Sequence, residues 1–133
     1  MRIVMANGVF DILHRGHIEH LLEAREMGGQ LIVALTVDEA VNKGPNRPFN
    51  TWEDRALLLR QLRCVDAVIP SYGAISAIEN FRPQIFVKGI DYSKGENFTE
   101  DVAECCKRLG VKLRYTTSNK RSVKEIIEKV NGN

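Results

Sequence analysis

Gly8-Val9-Phe10-Asp11-Ile12-Leu13-His14-Arg15-Gly16-His17 joins two segments of different periodicity. Before it, Arg2-Ile3-Val4-Met5-Ala6 is a short apolar run of the kind that forms a buried strand. After it, residues 18–27 carry apolar side chains at helical spacing. A loop that leaves a strand and opens a helix is where open α/β sheets hold nucleotides, because the first helical amides point at phosphate. His14 and His17 stand three positions apart there and can donate hydrogen bonds to phosphate oxygens. Gly8 lets backbone approach a ligand closely, and Gly16 opens the helix with no side chain in the way.

Working outward, apolar runs alternate with helical patterns along the whole chain. Strands are predicted at 2–6, 31–35, 67–69, 85–87 and 112–115, and helices near 17–27, 51–62, 73–80, 100–109 and 123–130. Continuous apolar strands alternating with helices imply an α/β fold, a three-layer sandwich whose five-stranded, mostly parallel sheet is covered on both faces. Thr51 with Asp54, and Ser122 with Glu125, stand at capping spacing before two of these helices. The polar stretch Asn42-Lys43-Gly44-Pro45-Asn46-Arg47-Pro48 is a loop.

The bulk numbers narrow the possibilities. A chain of 133 residues with no internal repeat or linker reads as one domain spanning 1–133. At 44% hydrophobic, 27% charged and a net charge of +2, it offers no basic field for nucleic acid and no reason to expect a membrane partner. It has no membrane-spanning run and no leader pattern, so a cytoplasmic location is expected. Cys64, Cys105 and Cys106 fit neither a disulfide framework nor a metal-ligand spacing and read as reduced structural thiols.

No Gly-x-Gly-x-x-Gly fingerprint and no Gly-x-x-x-x-Gly-Lys-Ser/Thr loop occurs, which argues against a dinucleotide oxidoreductase and a P-loop NTPase. Two histidines without a nearby cysteine make an incomplete zinc set, so no metal ligands are expected. His20, one turn beyond His17, reads as an exposed helical residue. On the helix that begins near Thr51, residues Trp52, Arg55, Ala56, Leu59 and Leu62 share one face. An arginine on an apolar stripe must find an anion or a carboxylate.

The segment Gly8 to His17 resembles the signature of the cytidylyltransferase-like nucleotidyltransferases. That family includes glycerol-3-phosphate cytidylyltransferases and the adenylyltransferase domain of bifunctional heptose kinase/adenylyltransferases. The resemblance covers nearly the whole chain. It implies a Rossmann-like fold, usually dimeric, that moves a nucleotidyl group from an NTP to a phosphorylated acceptor and releases pyrophosphate. It also implies nucleotide contacts from Gly8, Val9, Phe10, His14, Gly16, His17, Lys88, Gly89, Asp91 and Ser122. Acceptor contacts fall to Asp11, Lys43, Arg47 and Arg55, with His14, His17, Lys43 and Arg55 in catalytic roles. Such a transfer needs positioning and charge stabilisation, with Mg²⁺ on the triphosphate as helper.

Two stretches, Lys43-Gly44-x-x-Arg47-Pro48 and Val87-Lys88-Gly89-Ile90-Asp91-Tyr92, look more like the heptose enzymes than the glycerol-phosphate enzymes. The stretch Thr117-Ser118-Asn119-Lys120-Arg121-Ser122-Val123 departs from the family's usual Arg-Thr-x-Gly-Ile-Ser-Thr. Thr117 stands where the arginine is usual, and Lys120 or Arg121 is the candidate replacement charge. The expectation is therefore transfer from ATP to heptose 1-phosphate by a homodimer. The alternatives are a CTP-dependent enzyme for glycerol 3-phosphate or a similar alcohol, and a non-catalytic nucleotide-binding regulator.

Overall fold

The computed structural model describes residues 2–89, 100–117 and 129–130. The chain runs β1 (Arg2–Gly8), α1 (Arg15–Glu26), β2 (Gly29–Thr36), a 3₁₀ turn (Asp38–Ala40), α2 (Trp52–Arg60), β3 (Ala67–Ser71), α3 (Ala74–Phe81), β4 (Ile85–Gly89), α4 (Glu100–Leu109) and β5 (Lys112–Thr116). The five strands form one sheet in the order β3-β2-β1-β4-β5. Every pairing is parallel, as the uninterrupted apolar strands require. The expected last helix falls mostly outside the described residues, of which 129 and 130 are helical.

Strand pleating sorts the core into two layers. Val4 and Ala6 of β1, with Val33 and Leu35 of β2, face Leu21 and Ala24 of α1 and Ala56 and Leu59 of α2. Met5 of β1, Ala34 of β2 and Phe86 of β4 point the other way, onto Ala77 and Ile78 of α3 and Val102, Cys105 and Cys106 of α4. All three cysteines are buried, unpaired thiols within these layers. Burial and the neighbouring Cys105 push the Cys106 thiol up to about 11, so it stays protonated at neutral pH.

The strand order reverses at β1. From β1 the chain steps outward through β2 to β3, then crosses back to β4 and β5. A crevice opens beyond the carboxyl ends of β1 and β4 in such a sheet. The opposite edge is closed by side chains. Asp66 accepts the Leu31 N–H at 2.8 Å, and Gln84 Oε1 accepts the Ile3 N–H at 2.8 Å. At the carboxyl edge β1 extends two residues past its predicted end and delivers Gly8.

Gly28 shows how tightly α1 turns into β2. A Cβ there would stand 2.5 Å from Val4 Cγ2 and 2.9 Å from the Arg2 carbonyl oxygen. Gly28→Ala is expected to destabilise the fold by about 1–3 kcal/mol through overpacking, read as a lower urea midpoint with an unchanged slope.

Candidate active site

Helix α1 begins two residues earlier than its apolar pattern suggests because His14 caps it. His14 is extended (φ −144°, ψ 177°), and its Nδ1 accepts the Gly16 N–H at 3.0 Å. His17, at the third helical position, returns the bond, its Nδ1 accepting the His14 N–H at 3.2 Å. This is a capping box built from two histidines in place of the usual serine and glutamate. The spacing of three in His14-x-x-His17 is thus the spacing of a helix cap. It also settles a chemical question. A neutral imidazole has one donor and one acceptor, so Nδ1 atoms that accept leave Nε2 carrying the proton on both rings. The rings stack with centroids 3.9 Å apart, and Phe10 meets His17 edge-on at 5.3 Å.

A cleft of about 240 Å³ opens at this corner. Asn7 through Asp11 form its floor, His17 and His20 one wall, Thr36 and Lys43 another, and Val87 to Gly89 the side toward β4. Phe10 holds a left-handed backbone (φ +50°) that few non-glycine residues adopt. The turn is kept by the ring beneath Gly8, where a Cβ would stand 2.9 Å from Phe10 Cε2. A side chain at Gly8 would therefore force the Phe10 ring to shift.

Arg55 lies under the floor with no exposed side-chain surface. Its Nη1 donates to the carbonyls of Val9 (3.0 Å) and Thr36 (2.9 Å), and its Nε donates to that of Asn50 (3.0 Å). Its Nη2 pairs with Asp38 Oδ1 at 2.6 Å. The expected anion or carboxylate partner of this arginine is Asp38. A substrate-phosphate contact would need a guanidinium that reaches the cleft, and this one faces inward. Asp11 is similar: its carboxylate accepts from the Phe49 and Asn50 backbone N–H groups and from Asn50 Nδ2 (2.8 Å). It clamps the entry to α2 and leaves little carboxylate for an acceptor.

The polar loop brings two cations. Lys43 is exposed and lines the cleft. Arg47 donates from Nη2 to the Asp11 carbonyl at 2.7 Å and lies over the Phe49 ring at 4.5 Å, while its buried Nε has no acceptor among the described residues. Lys88, half-buried at the end of β4, has its ammonium pushed below the ordinary lysine value of 10.5 by burial, partly offset by Asp101 and Cys106. The cleft is lined by Lys43, Lys88 and two histidines, and its Asp11 carboxylate is already engaged, so it suits an anion.

Sequence reasoning placed His20 on the surface, yet it is 2% exposed and lines the cleft. Its Nδ1 pairs with Thr116 Oγ1 at 2.7 Å, tying α1 to the end of β5. The signal was its spacing of three from His17, which puts both on one helical face. Asn7 was also missed. Asp91 and Ser122 lie outside the described residues.

The Cytidylyltransferase-like family profile matches residues 5–129. A D-beta-D-heptose 1-phosphate adenylyltransferase of Bordetella bronchiseptica is 47% identical over 95 residues, covering 68% of this chain and 59% of that protein. A Helicobacter pylori relative named bifunctional protein HldE is 38% identical over 134 residues, covering 97% of this chain and 27% of that protein. The chain thus spans less than two thirds of either relative's length. Among solved structures, a lipopolysaccharide core biosynthesis protein from Thermoplasma volcanium superposes with a TM-score of 0.76 at 29% identity, over 90% of this chain and 99% of that one. A pantothenate synthetase from Thermus thermophilus, at TM-score 0.61 and 15% identity over 92% of this chain and 57% of that one, shares the fold.

Removing Arg55 leaves three carbonyls and Asp38 without their buried partner. Arg55→Met is expected to cost about 3–5 kcal/mol in chemical denaturation, whereas Arg60→Met, which loses only an exposed contact at 5.8 Å over the Trp52 ring, costs no more than about 1 kcal/mol. An Arg55→Met protein as stable as the parent would reject the structural role.

Proposed function

This chain belongs to the cytidylyltransferase-like family, and from that premise we propose that it is a nucleotidyltransferase acting through one domain over residues 1–133. It moves a nucleoside monophosphate from an NTP, ATP by preference, to a phosphorylated sugar, heptose 1-phosphate by preference. The names carried by its relatives support both preferences. The observation that carries the reaction class is the histidine capping box, which presents two Nε2–H donors at a helix amino terminus beside the cleft.

In the proposed reaction a phosphate oxygen of the acceptor attacks the α-phosphorus of the NTP. The new P–O bond forms as the bond to the β-phosphate oxygen breaks, and pyrophosphate leaves with that electron pair. The acceptor oxygen is already anionic, so no general base is needed. What the protein must supply is alignment and positive charge along the path from α- to β-phosphate. His14 and His17 donate to those oxygens. Lys43 and Lys88 offset the approach of two anions, and the amides of α1 add the positive end of its dipole. Arg47, whose buried Nε has no acceptor among the described residues, is placed to meet the acceptor's phosphate. Arg55 and Asp11 act as positioning residues that hold the floor and the loop.

Magnesium enters with the substrate, as the metal–NTP complex. Asp11, the carboxylate among the cleft-lining residues, is engaged by Phe49 and Asn50, so phosphate oxygens and water make the better ligand set for a hard divalent ion. Bound to the triphosphate, such an ion would supply charge neutralisation for the leaving group. The protein works in the cytoplasm as a homodimer, with no nucleic-acid or membrane partner. No helix among the described residues is long and apolar enough to cross a membrane. Light scattering on the purified protein tests the oligomeric state.

The decisive assay offers Mg²⁺, each of four NTPs and a panel of phosphorylated acceptors, and follows pyrophosphate. Release with ATP and heptose 1-phosphate is expected. A CTP and glycerol 3-phosphate preference overturns the substrate assignment, and silence with every pair overturns the enzyme. His17→Asn is the sharper variant, because its amide oxygen can still accept the His14 N–H while the Nε2 donor is lost. It should fold normally and lose about 100-fold in kcat, the scale of removing one preorganised donor.

Lys88 adds a pH dependence. A bound triphosphate favours the ammonium and raises its pKa above that of the ligand-free protein. Affinity for a non-hydrolysable NTP is therefore level below the ligand-free pKa, which lies under 10.5, and falls as pH rises from there to the bound-state value. Calorimetric titration across that range should show the fall, and Lys88→Met should flatten it.

A further inference from the structure

The cleft wraps around the end of β1, and one of its polar side chains has no role in the reaction described above. We infer that Asn7 is a specificity-determining residue, donating from its side-chain amide to a sugar oxygen of the phosphorylated acceptor; this rests on the nucleotidyl-transfer reading of the same cleft.

Pleating decides where Asn7 faces. Met5 belongs to the core layer against α3 and α4, so Asn7, two residues on, lies on that same face, opposite the α1 face where Val4 and Ala6 pack. Its side chain reaches across β2 to Ser71 at the end of β3, where Ser71 Oγ stands 2.6 Å from Asn7 Oδ1. Ser71 is 2% exposed, and its Oγ accepts the Gly73 N–H at 3.1 Å. Its single proton then has two acceptors in reach, Asn7 Oδ1 at 2.6 Å and the Gly73 carbonyl at 3.1 Å, and the shorter contact takes it. The carbonyl end of the Asn7 amide is thus held at β3, and the Nδ2 end is turned away from it.

Nδ2 finds no acceptor among the described residues, and it is not one of the buried atoms lacking a partner. Since Asn7 lines the cleft, those two donors open into it. An oriented neutral amide contributes little to holding a phosphate beside lysines. Its value lies in discrimination, because a site built to hydrogen-bond an oxygen rejects ligands that lack it. The triphosphate is served from the opposite side, by the amino terminus of α1. Asn7 reaches instead toward β2 and β3, and Lys43 enters from the segment after β2. The two together suit a ligand with a phosphate at one end and a hydroxylated body at the other.

The test measures binding without turnover, so that it stands apart from the pyrophosphate assay. Mannose 1-phosphate and inorganic phosphate serve as calorimetric probes, with a non-hydrolysable ATP analogue as control. The parent protein should prefer the sugar phosphate. Asn7→Leu, similar in volume but without donors, should weaken mannose 1-phosphate by about 5- to 10-fold, the scale of one neutral hydrogen bond. Inorganic phosphate and the ATP analogue should change less than about 2-fold, because neither interaction uses the amide. Ser71→Ala, which releases the amide to rotate, should give the same pattern more weakly, and it carries the test if Asn7→Leu does not fold. Equal weakening of both probes, weakening of the ATP analogue instead, or no parental preference for the sugar phosphate would overturn the assignment. Selective loss of sugar binding in a protein that releases no pyrophosphate would keep Asn7 and reject nucleotidyl transfer.

Discussion

One buried guanidinium holds the working edge of this sheet together. Arg55 reaches from α2 to the carbonyls of Val9, Thr36 and Asn50 and to the carboxylate of Asp38. Those groups belong to the loop after β1, the end of β2, the entry to α2 and the 3₁₀ turn. Val9 and Thr36 lie where β1 and β2 have ended and their last carbonyls need partners. A planar fork of five donors satisfies all four acceptors from one point, one more than the three N–H groups of a lysine could serve. Trp52 helps from one turn earlier, its indole N–H meeting the Leu35 carbonyl at 2.9 Å. Without this bracing the floor of the cleft would have no fixed height relative to the helix that carries the histidines.

The histidine cap is the second constraint, and it joins local structure to chemistry. Capping normally uses small polar side chains, which satisfy the first helical amides and do nothing else. Here the same two bonds also choose the tautomer of both imidazoles, so a demand of helix geometry becomes a preset pair of donors. Stacking between the rings and the edge of Phe10 restricts their rotation further. Preorganisation of this kind suits charge that develops briefly in a transition state, because little need move when it appears. Phe10 itself holds a left-handed backbone, a local cost that the surrounding packing sustains.

How far the primary structure could be read depended on whether a residue's role was local. The alternation of apolar strands and helices, the sheet's parallel character and the junction at Gly8 to His17 all follow from short-range pattern. The structure reproduces them with boundaries shifted by no more than two residues. Trp52, Arg55, Ala56 and Leu59 face inward as their helical spacing predicts. The phosphate contact expected of Arg55 rests on the family resemblance and not on spacing. Periodicity says that a side chain is buried, but its partners come from β1, β2 and the 3₁₀ turn, distant in the chain. The exposed position expected of His20 is the one the structure corrects. A polar residue next to apolar ones was taken as exposed, when the end of β5 brings Thr116 to meet it.

Asn7 marks the same limit. Nothing near it in the chain explains its orientation, which Ser71 sets from 64 residues away. Taken alone, the sequence determined the layer architecture, the strand–helix junction that forms the site and the residue types gathered there, because pleat, helical repeat and helix capping act over a few neighbours. Only the tertiary structure decided which of those groups face the cleft and which brace it from beneath. That choice is made by groups distant in the chain: the Val9, Thr36 and Asn50 carbonyls and the Asp38 carboxylate come together only in the fold, and Arg55 is bonded to all four.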